Sequence, residues 1–566
     1  MKPVPQSADQ ILNLLIGGEA GQGLVTVGQL LAKALVRAGY AIVVTQSYQS
    51  RIRGGHNTYT IRTSPGEVQA PQETVDLLVA LNAETVDLHR SELAPAGVIV
   101  AGDKFGPADP NCLKVPYSQL ARVKFANVVA LGAVAALLGL DLELVSRAVA
   151  DFFGKKDAAL LEQNRQALQA AYAWAGTQKV AFPKLAPIKD PVPRLMMGAS
   201  DAMALGALSA GVKFYSFYPM TPATAIGQFL AGAARRMGLI VEQGEDEIGV
   251  LNMALGAAFA GAPAMVGTSG GGFALMVEAV SLAGMTETPV VIALGQRPAP
   301  ATGLPTRTEQ ADLSFVLHAG HGEFPRAIFA PGTIAQCFHL TRRAFALTEK
   351  YQTPVFILFD QFLADSYRAV ASFEVEKLEP IQVGADPAAV AVPYKRYAIT
   401  DNGVSPRLLP GQSAHLVVAD SDEHTEDGHL TEDLKVRKLM VEKRLRKSAG
   451  ILQEVVAPEL VGDEKPELLL VCWGSMRGSA LEAAALLRAK GKRVATLHFS
   501  QVWPLRAEQF LGILQQAGEV VMVESNAFGQ MAQLIRRETG FEIKRKVLRY
   551  DGLPQTPEQI VRELSS

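Results

Sequence analysis

Cysteine is almost missing. Cys112, Cys337 and Cys472 are the only three in 566 residues, and no CxxC spacing occurs. A self-contained iron–sulfur cluster takes four protein ligands, so this chain cannot hold one alone. A cysteine-rich zinc site and a disulfide framework are excluded as well, and a reducing cytoplasm is the expected compartment. An excess of either charge is also lacking: 54 Lys and Arg stand against 56 Asp and Glu, a net charge of −2. No basic surplus suits nucleic acid, and no block of like charge forms an interaction tail. A membrane span is missing too. The longest charge-free stretch, 248–277, is broken by Pro263 and by Thr268-Ser269-Gly270-Gly271-Gly272. It reads as a buried helix, a short strand, a glycine loop and the start of another helix. Residues 1–9 are polar and the apolar run 11–16 is short, so no signal peptide is expected.

What is present points to a multidomain α/β protein. The length suggests roughly three to four domains, and the 50 glycines suit many tight strand–helix turns. A first segment, 1–180, opens with a strand at 11–16 and a glycine turn. The helix that follows carries Leu24, Val27, Leu30, Leu31, Leu35 and Ala38 on one face. Further strands at 40–45, 76–81 and 98–101 predict a doubly wound parallel sheet. Prolines make 181–193 a linker. A second doubly wound unit is expected over 194–395, then a loop-rich connection over 396–460 with a charged helix at 432–447. A compact α/β domain over 461–566 completes the series, with strands at 468–472, 494–499 and 520–524.

Several motifs carry chemistry, each beside a plainer reading. Gly17-Gly18-Glu19-Ala20-Gly21-Gln22-Gly23 joins a strand to a helix N-terminus, where backbone N–H groups can hold a phosphate. It is neither a P-loop nor a clean GxGxxG, and a tight turn with no ligand is the plainer reading. Arg51, Arg53 and His56 flank Gly54-Gly55 and suit phosphate or carboxylate recognition, or a solvated loop. Tyr218-Pro219-Met220-Thr221-Pro222 fixes one threonine between prolines, as substrate positioning or a rigid turn requires. Glu242-Gln243-Gly244-Glu245-Asp246-Glu247 precedes an apolar helix and reads first as a cap. Ser269-Gly270-Gly271-Gly272 permits close backbone approach. Arg297, Thr306 and Arg307 follow a buried strand, where open α/β sheets bind ligands. His318 and His321 read as structural. The stretch from Asp420 through His429 matches no metal motif and reads as a solvated loop or an inter-subunit contact.

The order of these motifs resembles the α subunit of 2-oxoacid:ferredoxin oxidoreductases. Tyr218-Pro219-Met220-Thr221-Pro222, Glu245-Asp246-Glu247, Ser269-Gly270-Gly271-Gly272-Phe273, Arg297, Thr302-Gly303-Leu304-Pro305-Thr306 and His321-Gly322-Glu323 carry it. The N-terminal segment, with Gly21-Gln22-Gly23 and Arg53-Gly54-Gly55, is similar to the γ domain of that family. Cys472-Trp473-Gly474-Ser475, Val502-Trp503-Pro504-Leu505 and Glu524-Ser525-Asn526 resemble its transketolase-C-like domain. The fused γ–α order is most similar to the 2-oxoglutarate-type and broad-specificity enzymes.

The resemblance implies a thiamine-fold, pyrimidine-binding domain over 194–395 and a cytoplasmic enzyme. It implies oxidative decarboxylation of a 2-oxoacid with thiamine diphosphate, CoA as cosubstrate and ferredoxin as acceptor. Glu247 matches the glutamate facing the thiamine aminopyrimidine, with Glu245 as its near-register rival, and Ser269 and Gly270 lie with them at the cofactor. Thr221, Arg297 and Thr306 match substrate-binding positions, and Thr221 and Arg297 are expected in catalysis. Arg307 could meet the second carboxylate of 2-oxoglutarate. Arg51, Arg53 and His56 gain a CoA or channel role. The family's Gly-Asp-Gly motif for thiamine diphosphate and magnesium is missing here, as are cluster cysteines. A β subunit is therefore expected to bring Mg2+ and a [4Fe–4S] cluster, in an α2β2 assembly, and this chain is expected to be inactive alone. Pyruvate or branched-chain 2-oxoacids are alternative substrates. A non-catalytic nucleotide-binding or scaffold protein and a transketolase-like enzyme without redox chemistry are the readings of another class.

Overall fold

The computed structural model describes residues 10–49, 54–154 and 158–565. The chain forms two compact units. The first takes residues up to 197, together with 365–373 and 556–559. Its sheet has eight strands, in the spatial order Cys112–Val115, Leu93–Gly102, Val75–Ala80, Leu12–Glu19, His56–Ser64, Ala41–Ser47, Tyr367–Val370, Leu195–Gly198. Alternate residues serve opposite faces, as a pleated strand demands. Leu14, Ile16, Leu77, Val79, Val98 and Val100 face the core of the helices Leu24–Arg37 and Ala126–Leu138. Leu15, Leu78, Ala80, Ile99 and Ala101 face the other side, where Val86 of helix Ala83–His89 covers them. Gly132 lets Ala126–Leu138 lie against Ala158–Gly176, because a Cβ there would stand 2.6 Å from the Leu168 carbonyl oxygen.

This sheet is mixed, and not the parallel one expected. His56–Ser64 runs antiparallel to both Leu12–Glu19 and Ala41–Ser47, while Leu12–Glu19 and Val75–Ala80 are parallel. The polar start of His56–Ser64 hid a strand whose later residues are buried. Residues 365–373 also return to this unit: Tyr367–Val370 pairs antiparallel with Ala41–Ser47, and Gln46 Nε2 donates to the Asp365 carbonyl at 3.0 Å. The proline-rich stretch is docked rather than free, with Leu185 N–H donating to the Leu138 carbonyl at 2.9 Å.

The second unit holds two sheets. One has seven strands in the order Gln501–Trp503, Ala327–Phe329, Pro354–Asp360, Val290–Gln296, Ala264–Ser269, Phe214–Phe217, Ile240–Gln243. All pair in parallel except Gln501–Trp503, which is antiparallel at the edge. The other has five strands in the order Glu459–Val461, Val494–Phe499, Leu468–Trp473, Glu519–Glu524, Arg545–Leu548. The two share one core: Val266, Ile292 and Phe356 cluster with Val471, Trp473 and Phe499.

In the connection, Ser421, Asp422, Asp427 and His429 are exposed, as a solvated loop requires, but the stretch is also pinned to the fold. His424 is fully buried and stacks on Tyr397 with ring centroids 4.0 Å apart. Glu423 accepts two hydrogen bonds from Arg444, at 3.0 and 2.8 Å. The charged helix, Leu434–Gln453, sends Lys443 and Lys447 inward onto Glu287. Among the described residues no helix is long and apolar enough to cross a membrane.

Candidate functional site

Five neighbouring parallel strands of the seven-stranded sheet end along one edge. Register fixes this: Asp360 lies beside Gln296, Gly295 beside Ser269, Gly267 beside Phe217, and Phe217 beside Gln243. The segments leaving those ends carry Arg297, Ser269-Gly270, Thr221 and Glu247. Motifs far apart in sequence therefore meet at the carboxyl edge of a parallel sheet, the place where such sheets bind ligands.

Glu247 opens the helix Glu247–Phe259, but it does not cap it. Asp246 does, accepting from Gly249 N–H at 2.8 Å. Freed from that role, Glu247 is 4% exposed, and its Oε1 is buried without a hydrogen-bond partner. The carboxylate lies over Gly272, where a Cβ would stand 2.3 Å from Oε1 and 2.4 Å from Thr268 Oγ1. Glu245, its rival in sequence, is exposed. An unpartnered buried carboxylate oxygen is costly unless a ligand completes it. The ring nitrogen of an aminopyrimidine fits that need, so the residues present suit thiamine diphosphate. Ser269 is buried with an unpartnered Oγ, and Gly270 opens the helix Gly270–Met285.

Arg297 is half-buried and donates from Nη1 to the Thr221 carbonyl at 2.9 Å. Burial lowers its pKa, and Asp312 opposes that shift. Pro222 is wedged against Gly295, where a Cβ would stand 2.6 Å from its Cγ. Thr221, Arg297 and Gly295 are thus one packed corner. Thr306 and Arg307 lie on the next loop, and Arg307 packs its stem against Gly552. Thr308 N–H donates to the Gly552 carbonyl at 3.1 Å.

Of four further polar residues of this corner, Asp312 and Asp360 escaped the sequence reading, while Glu309 and Gln310 end the loop already read as ligand-binding, with no role of their own. Gln310 is buried and clamps the loop to the C-terminal motifs: its Nε2 donates to the Trp473 carbonyl at 3.1 Å, and Ser525 N–H donates to its Oε1 at 3.1 Å. Asp360, also buried, bonds Ser475 and holds Leu363 N–H at 2.8 Å; burial pushes its carboxyl up to about 6. Glu309 and Asp312 complete the set. The only available signal was the run Glu309-Gln310-Ala311-Asp312 itself, polar yet followed at once by an apolar helix.

His318 and His321 are held by their own surroundings. His318 Nδ1 meets the Ser314 carbonyl at 2.9 Å, and His321 Nδ1 meets Ser281 Oγ at 3.0 Å. In the first unit, Arg51 and Arg53 lie outside the described residues. His56 is described: its Nε2 stands 2.7 Å from His89 Nε2, and His89 Nδ1 stands 3.0 Å from Glu92 Oε2. Burial first, then the His89 charge, lowers the His56 pKa. A Glu92-oriented His89 donates from Nδ1, so its Nε2 accepts from His56. His56 Nδ1 is left as a buried lone pair without a partner, close to Gly17 of the glycine turn.

Residues 13–174 match the pyruvate ferredoxin/flavodoxin oxidoreductase family, and 205–443 match its thiamine diphosphate-binding family. Residues 459–563 match the transketolase C-terminal domain. A 2-oxoacid:ferredoxin oxidoreductase α subunit from Sulfolobus sp. is 31% identical, over 96% of this chain and 95% of its own. The chain belongs to the 2-oxoacid:ferredoxin oxidoreductase α-subunit family. It is an enzyme subunit with a thiamine diphosphate-binding domain. The 2-oxoglutarate oxidoreductase subunit KorA of Mycobacterium tuberculosis is 29% identical, over 92% of this chain and 86% of its own. A solved 2-oxoglutarate:ferredoxin oxidoreductase from Magnetococcus marinus has 2-oxoglutarate, coenzyme A and succinyl-CoA bound. It superposes with a TM-score of 0.91 at 31% identity, covering 98% of this chain and 99% of that one. The multidomain α/β reading, with γ, thiamine and transketolase-C parts, stands on these matches.

Proposed function

We propose that this subunit acts on 2-oxoglutarate, which with CoA and oxidised ferredoxin gives succinyl-CoA, CO2 and reduced ferredoxin. The observation that carries the reading is the buried Glu247 Oε1 without a partner, at the sheet edge that Thr221 and Arg297 also follow. Thiamine diphosphate, when bound, supplies the carbon nucleophile for the keto group and the electron sink for loss of CO2. Glu247 holds a proton against the cofactor's ring nitrogen, and burial keeps water from competing for that carboxylate. Arg297 binds the 2-oxoacid carboxylate, with Thr221 and Thr306 beside it, and Arg307 meets the distal carboxylate. Ser269 and Gly270 let the cofactor approach the backbone. Glu245, being exposed, has no part in this. In the first unit, His56 with Arg51 and Arg53 serves CoA or its channel.

The β subunit brings Mg2+ and a [4Fe–4S] cluster, because this sequence has no Gly-Asp-Gly and its three cysteines are buried and far apart. The two chains assemble as α2β2 in the cytoplasm. The KorA relatives and the substrate-bound Magnetococcus enzyme favour 2-oxoglutarate, while relatives named for 2-oxoacids in general favour a broader range. Kinetics of the complex reconstituted with its β subunit separate these. A kcat/KM for 2-oxoglutarate well above that for pyruvate is expected, and the reverse order overturns the substrate assignment.

A further inference from the structure

Gln310 is 1% exposed and reaches across to the five-stranded sheet with both its side chain and its backbone. Its Nε2 donates to the Trp473 carbonyl, and its Oε1 accepts from Ser525 N–H, each at 3.1 Å. Its own N–H donates to the Ser525 carbonyl at 2.6 Å, and its carbonyl accepts from Asn526 Nδ2 at 3.2 Å. Trp473 ends the strand Leu468–Trp473, and Ser525 directly follows Glu519–Glu524. These strands are parallel neighbours. The chain leaves the first for Val494–Phe499 on one side, then returns to its other side as Glu519–Glu524. Such a reversal makes the gap between the two carboxyl ends the place where a doubly wound sheet takes its ligand. Here Gln310 fills it. A Cβ on Gly474 would stand 2.9 Å from Gln310 Nε2, so the fit is close on that side.

A second glutamine answers from the C-terminal domain. Gln530 opens the helix Gln530–Thr539; its Oε1 accepts from Ser314 N–H at 2.8 Å, and its Nε2 donates to the Ala311 carbonyl at 2.7 Å. With Thr308 N–H on the Gly552 carbonyl, Thr308, Gln310, Ala311 and Ser314 are all tied to that domain. The turn just before them carries Thr306 and Arg307 and closes on itself. Leu304 N–H donates to the Pro298 carbonyl and Arg307 N–H to the Leu304 carbonyl, both at 3.1 Å. Its position therefore depends on its two ends, the strand that leads to Arg297 and the clamp from residue 308 onward. We propose that Gln310 is a positioning residue for substrate choice: by plugging this crevice it places the turn that presents Arg307 to the distal carboxylate of the 2-oxoacid. This rests on the reading of Arg307 as the partner of that carboxylate. A neutral amide suits the task, because it offers a donor and an acceptor side by side to a carbonyl and an N–H.

The test compares kcat and KM for 2-oxoglutarate and for pyruvate in the complex reconstituted with its β subunit. Gln310→Leu keeps the crevice filled and removes both side-chain bonds. It should raise KM for 2-oxoglutarate about tenfold with kcat within about twofold, as a misplaced binding group does. The ratio of kcat/KM for 2-oxoglutarate over pyruvate should fall with it. Gln530→Ala, at a half-buried position, should move the ratio the same way by less, and it decides alone if Gln310→Leu does not assemble. Placed on Arg307→Ala, Gln310→Leu should lower the ratio no further, because the group it places is gone. A clamp that serves only stability would lower the melting temperature and kcat for both acids and keep the ratio. That outcome, or a full further loss of the ratio on top of Arg307→Ala, overturns the proposal. Arg307→Ala alone keeps the two readings apart. An unchanged ratio there sinks the reading of Arg307 itself. A lowered ratio there, with a wild-type ratio in Gln310→Leu and Gln530→Ala, sinks only the positioning by Gln310.

Discussion

Glu247 and Gly272 are in such close contact that a Cβ on the glycine would stand 2.3 Å from Glu247 Oε1. The buried carboxylate fills the space that any other residue's side chain would need.

Gly272→Ala should therefore push the carboxylate out of register without touching the cofactor directly. Glu247→Gln should lower kcat of the reconstituted complex by about 10²–10⁴-fold, the usual worth of a positioned proton-transfer group. Gly272→Ala should reproduce part of that loss and raise the thiamine diphosphate concentration needed for half activation. Wild-type activation by the cofactor in Gly272→Ala would show that the close packing has no functional consequence.

A second carboxylate, Glu287, makes a stability prediction. It is 1% exposed, Lys443 Nζ donates to its Oε1 at 2.5 Å, and Lys447 pairs with its other oxygen. Arg396 donates to the Glu287 carbonyl at 2.9 Å. Glu287→Gln would leave two buried ammonium groups facing no anion, a cost of about 3–5 kcal/mol. A Tm drop of several degrees is expected, while Glu442→Gln on the exposed side of the same helix should change little. The pH sign follows. Burial opposes ionisation of Glu287, but Lys447, Lys443 and Arg396 outweigh it and lower its pKa to about 2. A carboxylate depressed on folding gives stability that is fully present above its unfolded value. That stability is lost as pH falls from about 4.5 towards about 2. Chemical denaturation across that window should show the loss in wild type and not in Glu287→Gln.

Sequence order exposed the candidate edge because loops leaving parallel strands keep their motifs local. Thr221, Glu247, Ser269, Gly270 and Arg297 each sit within a few residues of a strand or helix end that hydrophobic periodicity marks. The resemblance already set Glu247 ahead of Glu245, and burial of the one with exposure of the other adds a physical difference that no spacing rule supplies. The roles of Gln310, Asp312 and Asp360 stayed hidden because their partners, Trp473, Gly270 and Ser475, are distant in sequence. The strand His56–Ser64 was missed for a local reason. Its first three residues are only half-buried, so polarity masked the alternation that follows. The solvated reading of residues 420–429 holds for Asp422, Asp427 and His429 but not for His424 and Glu423, whose partners, Tyr397 and Arg444, lie across the connection.

His56 gives a prediction for the other half of the reaction. Its Nδ1 lone pair is free while His89 and Glu92 fix its tautomer. If it serves CoA, His56→Ala should raise KM for CoA by about tenfold, as loss of one good hydrogen bond does, and leave KM for the 2-oxoacid alone. Glu92→Gln, which loosens His89, should shift the same constant in the same direction by less. A change in the 2-oxoacid constant instead would place His56 in the substrate path and not with CoA.

The single chain should be silent. It has the buried Glu247 proposed for the cofactor ring but no Gly-Asp-Gly for a diphosphate and magnesium. Purified alone, it should bind thiamine diphosphate weakly and should not reduce ferredoxin, and adding the β subunit should restore both. Ferredoxin reduction by the single chain would refute the division of labour.

Arg307 is expected to decide the choice of acid. Its stem packs against Gly552, and the neighbouring Thr308 N–H donates to the Gly552 carbonyl, so the loop is held at this point by the chain's own contacts. A distal carboxylate is present in 2-oxoglutarate and absent from pyruvate. Losing a hydrogen bond to a charged partner costs about 1.5–3 kcal/mol. Arg307→Ala should then lower kcat/KM for 2-oxoglutarate by about tenfold to a hundredfold and leave that for pyruvate near wild type. An equal loss for both acids would mean that Arg307 supports the loop and not the second carboxylate. Arg307→Lys, which keeps the charge but not the fork, should fall between the two for 2-oxoglutarate only.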